Sequence, residues 1–231
     1  MNDKKDEPKP FRPPLPSRAS RVPSLRTKIS LHGAMVMRLP ADRHPRVRVF
    51  ESNLEKGVLY LLGARRDVHD IRDQPPAVKF RDANGKMRDH TFDFRVALTS
   101  GEWVAIAVKP WARVVKYDFQ TELAYVHAMM PLSFAKRIIL VTERNLDKTE
   151  LRNAAMFHEF SQHEDAEAEA RIGALIKGLS APILIKDLVA HSGLGARGFR
   201  AVVMAIYRGG LCANRRAEID YSALVNVEGS V

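Results

Sequence analysis

The sequence predicts a mixed α/β core followed by a small helix–turn–helix–hairpin unit. Three observations carry this. Between Ser52 and Thr142 the pattern alternates helix, hairpin, strand, helix, strand, the rhythm of an α/β core with a mixed sheet. Trp103 to Val108 is mostly apolar and reads as a strand buried on both faces. From Ile185 onward two helices, a Gly-rich turn between them and two short extended runs give a winged-helix order.

Four stretches follow in the predicted order. Residues 1–28 hold Pro8, Pro10, Pro13, Pro14, Pro16 and Pro23 among basic residues, a composition that reads as a disordered arm. Residues 29–147 form the core, 148–180 a helical connector, and 181–231 the winged-helix-like unit.

Within the core, Ser52 is a good N-cap and Glu55 sits at the capping-box spacing. Leu54, Val58, Leu61 and Leu62 continue at helical intervals toward Gly63. Val68 to Gln74 is a short strand or extended turn closed by Pro75-Pro76. Val78–Phe80 and His90–Leu98 are extended runs, and Asn84-Gly85 between them is a strong hairpin signal. Alternation puts Phe92, Phe94 and Val96 on one face of that second run and Asp93 on the other. Pro110 stops the buried strand after Lys109. Phe119–Met130 is a helix, and Arg137–Thr142 a second buried strand. Lys148–Gly178 is helical with a break at Ser161–Asp165. Helices then run from Ile185 to Ser192-Gly193 and from Arg197 to Arg208.

Net charge is +10, unevenly placed: residues 1–48 hold 12 Lys/Arg against 4 Asp/Glu. A nearly neutral body with a basic arm suggests a compact domain tethered to something anionic, DNA phosphates or a partner groove. No apolar run reaches the roughly 18 residues of a membrane span. The N-terminus lacks the apolar core of a secretory signal. The one cysteine, Cys212, excludes an internal disulfide and a cysteine zinc site. A reducing cytoplasm fits.

The chemistry suggested is metal-dependent phosphodiester hydrolysis. Magnesium, with manganese as a substitute, prefers oxygen ligands and retains waters. Glu55 and Asp93 each offer a carboxylate, and the Val108 carbonyl offers a backbone oxygen. Lys109 can hold the attacking water or offset charge on the phosphate. Strand alternation puts residues 107 and 109 on one face. Each residue also has a plainer reading: a capping box for Glu55, a solvent-facing strand position for Asp93, a strand-end charge for Lys109.

The order Ser52-x-Leu54-Glu55 on a helix, Asp70-Ile71-Arg72-x-Gln74-x-Pro76, an Asp93-Phe94 strand and Ala105-Ile106-x-Val108-Lys109-Pro110 resembles TnsA-type transposon endonucleases. These are subunits of heteromeric transposases with a restriction-endonuclease-like fold. The resemblance covers roughly residues 50–145, and a winged-helix tail also fits that family. It implies that Glu55, Asp93 and Lys109 are catalytic and that the 5′ ends of a transposon are nicked. It also implies three partners: transposon-end DNA, a TnsB-like integrase-type recombinase and a TnsC-like ATPase regulator. The departure is Ala107, which stands where the family has a Gln or Glu ligand. Either the site is impaired, the favoured reading, or water and the Val108 carbonyl fill the gap.

Several other patterns compete. Gly193-Leu-Gly-Ala-Arg-Gly198 spells a dinucleotide fingerprint but follows a helix and lacks a βαβ unit, so a helix-turn-helix turn is the better account. His158-Glu159 and His163-Glu164 are spaced by five, where a zinc helix needs four. Arg197 and Arg200, near the start of the second helix, and Arg215-Arg216, at the wing tip, are DNA-contact candidates. His90 and Trp111 flank the site without an assigned role. The rival functions are a non-catalytic DNA-binding or assembly protein that keeps the nuclease fold as scaffold, and a winged-helix transcription regulator.

Overall fold

The computed structural model describes residues 12–20 and 32–227. It is a mixed α/β protein with seven α-helices and several small sheets among these residues. No helix among them is long and apolar enough to cross a membrane.

An antiparallel ribbon opens the described core, β1 (Gly33–Met37) against β2 (Arg46–Phe50). Gly33 is needed there because a Cβ would stand 2.5 Å from the Phe50 ring. Helix α1 (Asn53–Gly63) follows. Its cap forms as expected: the Ser52 Oγ accepts the Glu55 N–H at 3.1 Å. The main sheet has the order β3 (Val68–Asp73), β6 (Phe94–Leu98), β7 (Trp103–Val108), β8 (Arg137–Val141). Strand β6 is antiparallel to both neighbours, whereas β8 is parallel to β7. Helix α1 covers one face through Val58, Leu59 and Leu62 against Phe94, Val104 and Ile106. Helices α2 (Trp111–Lys116) and α3 (Phe119–Met129) cover the other, where Val114, Phe119 and Leu123 meet Ala105 and Ala107. Strand β7 is therefore buried on both faces.

The C-terminal part is α4 (Lys148–Ser161), α5 (Ala166–Ile176), α6 (Ile185–Ser192) and α7 (Ala196–Arg208), with a two-stranded sheet of β9 (Ile183–Leu184) and β10 (Leu224–Val225). Ile172 of α5 shares a core with Ile185, Leu188 and Val202, so α5 packs with the helices that follow it. Gly193 and Gly209 end α6 and α7 in the left-handed conformation. Two side chains tie this part to the C-terminus of α1. The Tyr207 hydroxyl donates to the Gly63 carbonyl at 2.6 Å, and Arg215 donates to the Ala64 carbonyl at 3.0 Å. Both satisfy carbonyls that a helix end leaves without partners.

Six expectations change. Residues 12–20 of the expected disordered arm are docked: Leu15 bridges to Arg46, Arg18 reaches Asp70 at 2.7 Å, and the Ser17 hydroxyl donates to Asp73 at 2.5 Å. Buried carboxylates supply the binding energy that composition alone hid. The rest of that arm, residues 1–11 and 21–28, lies outside the described residues. The Asn84-Gly85 hairpin joins β4 (Val78–Arg81) to β5 (Met87–His90), a separate ribbon, and β6 joins the main sheet instead. The chain changes register between them at Phe92-Asp93, so Phe92 and Phe94 face opposite cores. Helix α2 begins directly beyond Pro110, where the sequence pattern predicts none. Strand β8 is half-buried, because it forms the open edge of the sheet. The run after Leu211 is not a simple hairpin: Cys212 bridges to Asn226, while β10 pairs with β9.

Candidate active site

Because β6 runs antiparallel to β7, the start of one and the end of the other meet at one end of the sheet's central strands, the edge that carries the site. Asp93 lies just before β6, and Lys109 just after β7. The Asp93 backbone is held on both sides: its N–H donates to the Ile106 carbonyl, and its carbonyl accepts the Gln74 N–H at 2.9 Å. The carboxylate takes a 2.6 Å hydrogen bond from the Val108 N–H. Asp93 keeps some contact with solvent, yet protein atoms crowd its carboxylate. That desolvation, first, and the neighbouring charge of Glu55, second, push its pKa up to about 7. The Val108 hydrogen bond and Lys109 pull the other way, and Glu51 adds a further upward push.

Glu55 serves the cap and still brings its charge to Asp93. One carboxylate oxygen accepts the Ser52 hydroxyl at 2.9 Å and the other the Glu51 N–H at 2.7 Å. The structural and the chemical readings of Glu55 are therefore compatible. Lys109 lays its ammonium 4.7 Å from the centre of the Phe119 ring, on the α2–α3 side of the sheet. The three residues selected from sequence are electrostatically coupled, with Asp93 at the centre.

Ala107 is 1% exposed and packs on the same side as Phe92 and Phe119. Alternation does place it on the Lys109 face. The Val108 N–H meets the Asp93 carboxylate.

Sequence reading gave no role to the residues that hold this edge together. The Asp73 carboxylate accepts the Val49 N–H at 2.8 Å, and Val49 lies two residues before Glu51. Gln74, next in the chain, adopts φ +42° and bonds Asp93 through its backbone. Asp73-Gln74 thus link the segment that leads to Glu55 with the one that carries Asp93. Beside them Arg48, fully buried, pairs with Asp42 at 2.7 Å and approaches Asp70 at 3.6 Å. Two acids three residues apart in a strand were the available signal, but only their side-chain contacts with β2 show what they hold.

His90 and Trp111 do border the site. The His90 Nδ1 stands 3.2 Å from Glu122, and the ring packs edge-on against Phe92. Burial, first, and Lys109 lower the pKa of His90, against a rise from Glu122. The Trp111 N–H donates to Glu143 at 2.9 Å, and the Arg144 guanidinium lies 4.4 Å from its ring centre.

The four DNA-contact candidates fare unequally. Arg197 is engaged by Asp165 through two hydrogen bonds, at 2.7 and 2.8 Å, and by Glu167, which pins the start of α7 to the start of α5. Arg200 has its guanidinium 5.9 Å from the Phe160 ring centre. Arg215 is a correction: it does not project from a wing tip but folds back onto Ala64 and the Phe157 ring. Arg216 remains exposed.

Among the described residues no group of three or more His, Cys, Asp or Glu is arranged to hold a metal. No family model matches the chain, and no curated protein matches it either.

Proposed function

We propose that the protein is a metal-dependent DNA endonuclease subunit of the TnsA type, weakened by alanine at position 107. The carrying observation is Asp93: a crowded carboxylate raised to about 7 by burial and by the charge of Glu55, with a lysine charge opposing both. Perturbed acids with specific charge partners mark functional sites more often than ordinary ones. Two carboxylates that repel each other also make a hard, oxygen-rich place for a divalent cation.

Glu55 and Asp93 would hold magnesium or manganese. When bound, such an ion polarises a phosphate oxygen and supplies an activated water. Glu55 is held rigidly by its own cap, and Asp93 by the Val108 and Gln74 backbone. Lys109, able to swing from the Phe119 ring, meets negative charge developing on the phosphate. A restriction-endonuclease-like core is the finer fold we assign to the sheet, since helices cover both faces and the acids and the lysine share one edge. The order α5, β9, α6, α7, the Cys212 bridge, a loop and β10 supports a winged helix. In that assignment the first helix is α5, and Arg200 and Arg216 are the cations left to reach DNA. A recombinase and an ATPase regulator are the implied protein partners.

One observation favours the scaffold reading. Ala107 sits in a filled apolar cluster, and a longer side chain there costs about 1–3 kcal/mol unless it turns toward the edge. The deciding experiment is Ala107→Gln, assayed for Mg²⁺- or Mn²⁺-dependent nicking of transposon-end DNA with the partner recombinase. The nuclease reading expects a higher rate. A folded Ala107→Gln protein with an unchanged rate removes position 107 from the site, and metal-independent DNA binding without any nicking selects the scaffold.

A further inference from the structure

Helix α2 leaves the candidate site directly after Lys109, and an aromatic side chain carries a cation at each end of it. At its start the exposed Arg144 guanidinium lies 4.4 Å from the centre of the half-buried Trp111 ring. Just past its end the Lys116 ammonium lies 5.3 Å from the Tyr117 ring, which is 63% exposed. Arg113 between them is also exposed. The acids nearest in sequence to Arg144 are occupied with backbone groups. Glu143 accepts the Trp111 N–H, and Asp147 accepts the Thr149 and Glu150 N–H groups at the start of α4. Val115, 62% exposed, sits on the same short helix. The Trp111 ring packs partly against the apolar cluster under α2 and α3, whereas Val115, Tyr117 and the cations are exposed.

We propose that α2 is a DNA clamp: Trp111–Arg144 and Lys116–Tyr117 grip the strand that runs away from the phosphate held at Lys109. This rests on the DNA-cutting reading of the site and names the surface that would hold its substrate. The chemistry fits a nucleic-acid strand. A guanidinium or ammonium meets a phosphate, while the ring under it packs on a sugar or base. The placement fits as well. Trp111 is two residues from Lys109, at most about 7 Å along the chain. The Glu143 bond fixes the backbone at that point, so the platform is positioned before any DNA arrives.

The test is binding of the full chain to a fluorescein-labelled 40-base-pair duplex, followed by anisotropy between 50 and 300 mM NaCl. The variants are Arg144→Gln with Lys116→Gln, Trp111→Leu, and Arg171→Gln as an exposed charge on α5. The double variant is expected to bind about tenfold more weakly at 100 mM salt. The slope of log affinity against log salt should flatten by about 2, close to one for each phosphate no longer neutralised. Trp111→Leu, which also loses some packing against the core, should weaken binding severalfold while the protein still melts cooperatively. Arg171→Gln should bind like the parent. Unchanged affinity in the double variant, or an equal weakening in Arg171→Gln, overturns the clamp. A parent protein that binds no duplex overturns both the clamp and the nuclease reading. Binding that depends on the clamp residues, without nicking under any metal, keeps the clamp and removes the nuclease.

Discussion

Replacing Asp93 by Asn should stabilise the protein, and more so as pH rises. In the unfolded chain this carboxyl loses its proton near 3.8, whereas in the fold it holds it to about 7. The unfolded state therefore gives up the proton first. Below pH 3.8 both states keep it and Asp93 makes no pH-dependent contribution. Between 4 and 7 the native state is progressively penalised, and above 7 the penalty is complete. A displacement from 3.8 to about 7 corresponds to about 4 kcal/mol. Partial solvent access trims this to roughly 2–4 kcal/mol. Asparagine keeps an oxygen for the Val108 N–H and places an amide, not a charge, near Glu55. At pH 8 the variant should melt roughly 5–15 °C above the parent, and at pH 4 the two should coincide. Magnesium should narrow the gap by stabilising only the parent, by about 1.4 kcal/mol at ten times its Kd. Thermal melts from pH 4 to 9, with and without 10 mM Mg²⁺, measure all of this. An Asp93→Asn protein no more stable than the parent at pH 8, or a difference that does not change with pH, would refute the strained carboxylate.

Two further outcomes concern the frame around the site. Asp73→Ala leaves the Val49 N–H and the Ser17 hydroxyl without their acceptor and removes one acid from the surroundings of buried Arg48. It should cost about 3 kcal/mol in urea unfolding, and a cost below about 1 kcal/mol would mean that water replaces the carboxylate. Gly209→Ala combines φ +86° with a Cβ placed 1.9 Å from the Arg66 guanidinium. A destabilisation of about 1–2 kcal/mol is expected by the same measurement, and a neutral result would show that Arg66 moves aside and α7 tolerates another ending.

Local signals read well wherever one segment carries its own instructions. The Ser52–Glu55 capping box set the start of α1, Gly193 and Gly209 set the ends of α6 and α7, and the apolar run Trp103–Val108 announced the buried strand. The edge of the site was half legible. Glu55, Asp93 and Lys109 stood out by type and order, and the fold couples them electrostatically. What Asp73 and Gln74 do was not legible, since both act by bonding the backbone of other strands. Arg215 looked like a wing-tip cation because a turn of polar residues says nothing of which helix end lies beside it.

The chain's own pattern thus determined most of the helices and strands, α2 excepted, and which charged groups are available for chemistry, because capping, periodicity and side-chain type act over a few residues. Tertiary structure decided the rest: the split of Val78–Leu98 between two sheets, the docking of residues 12–20 on buried acids, and the pKa of Asp93. Each of these depends on desolvation and on charges brought together from distant parts of the sequence, which no local window contains.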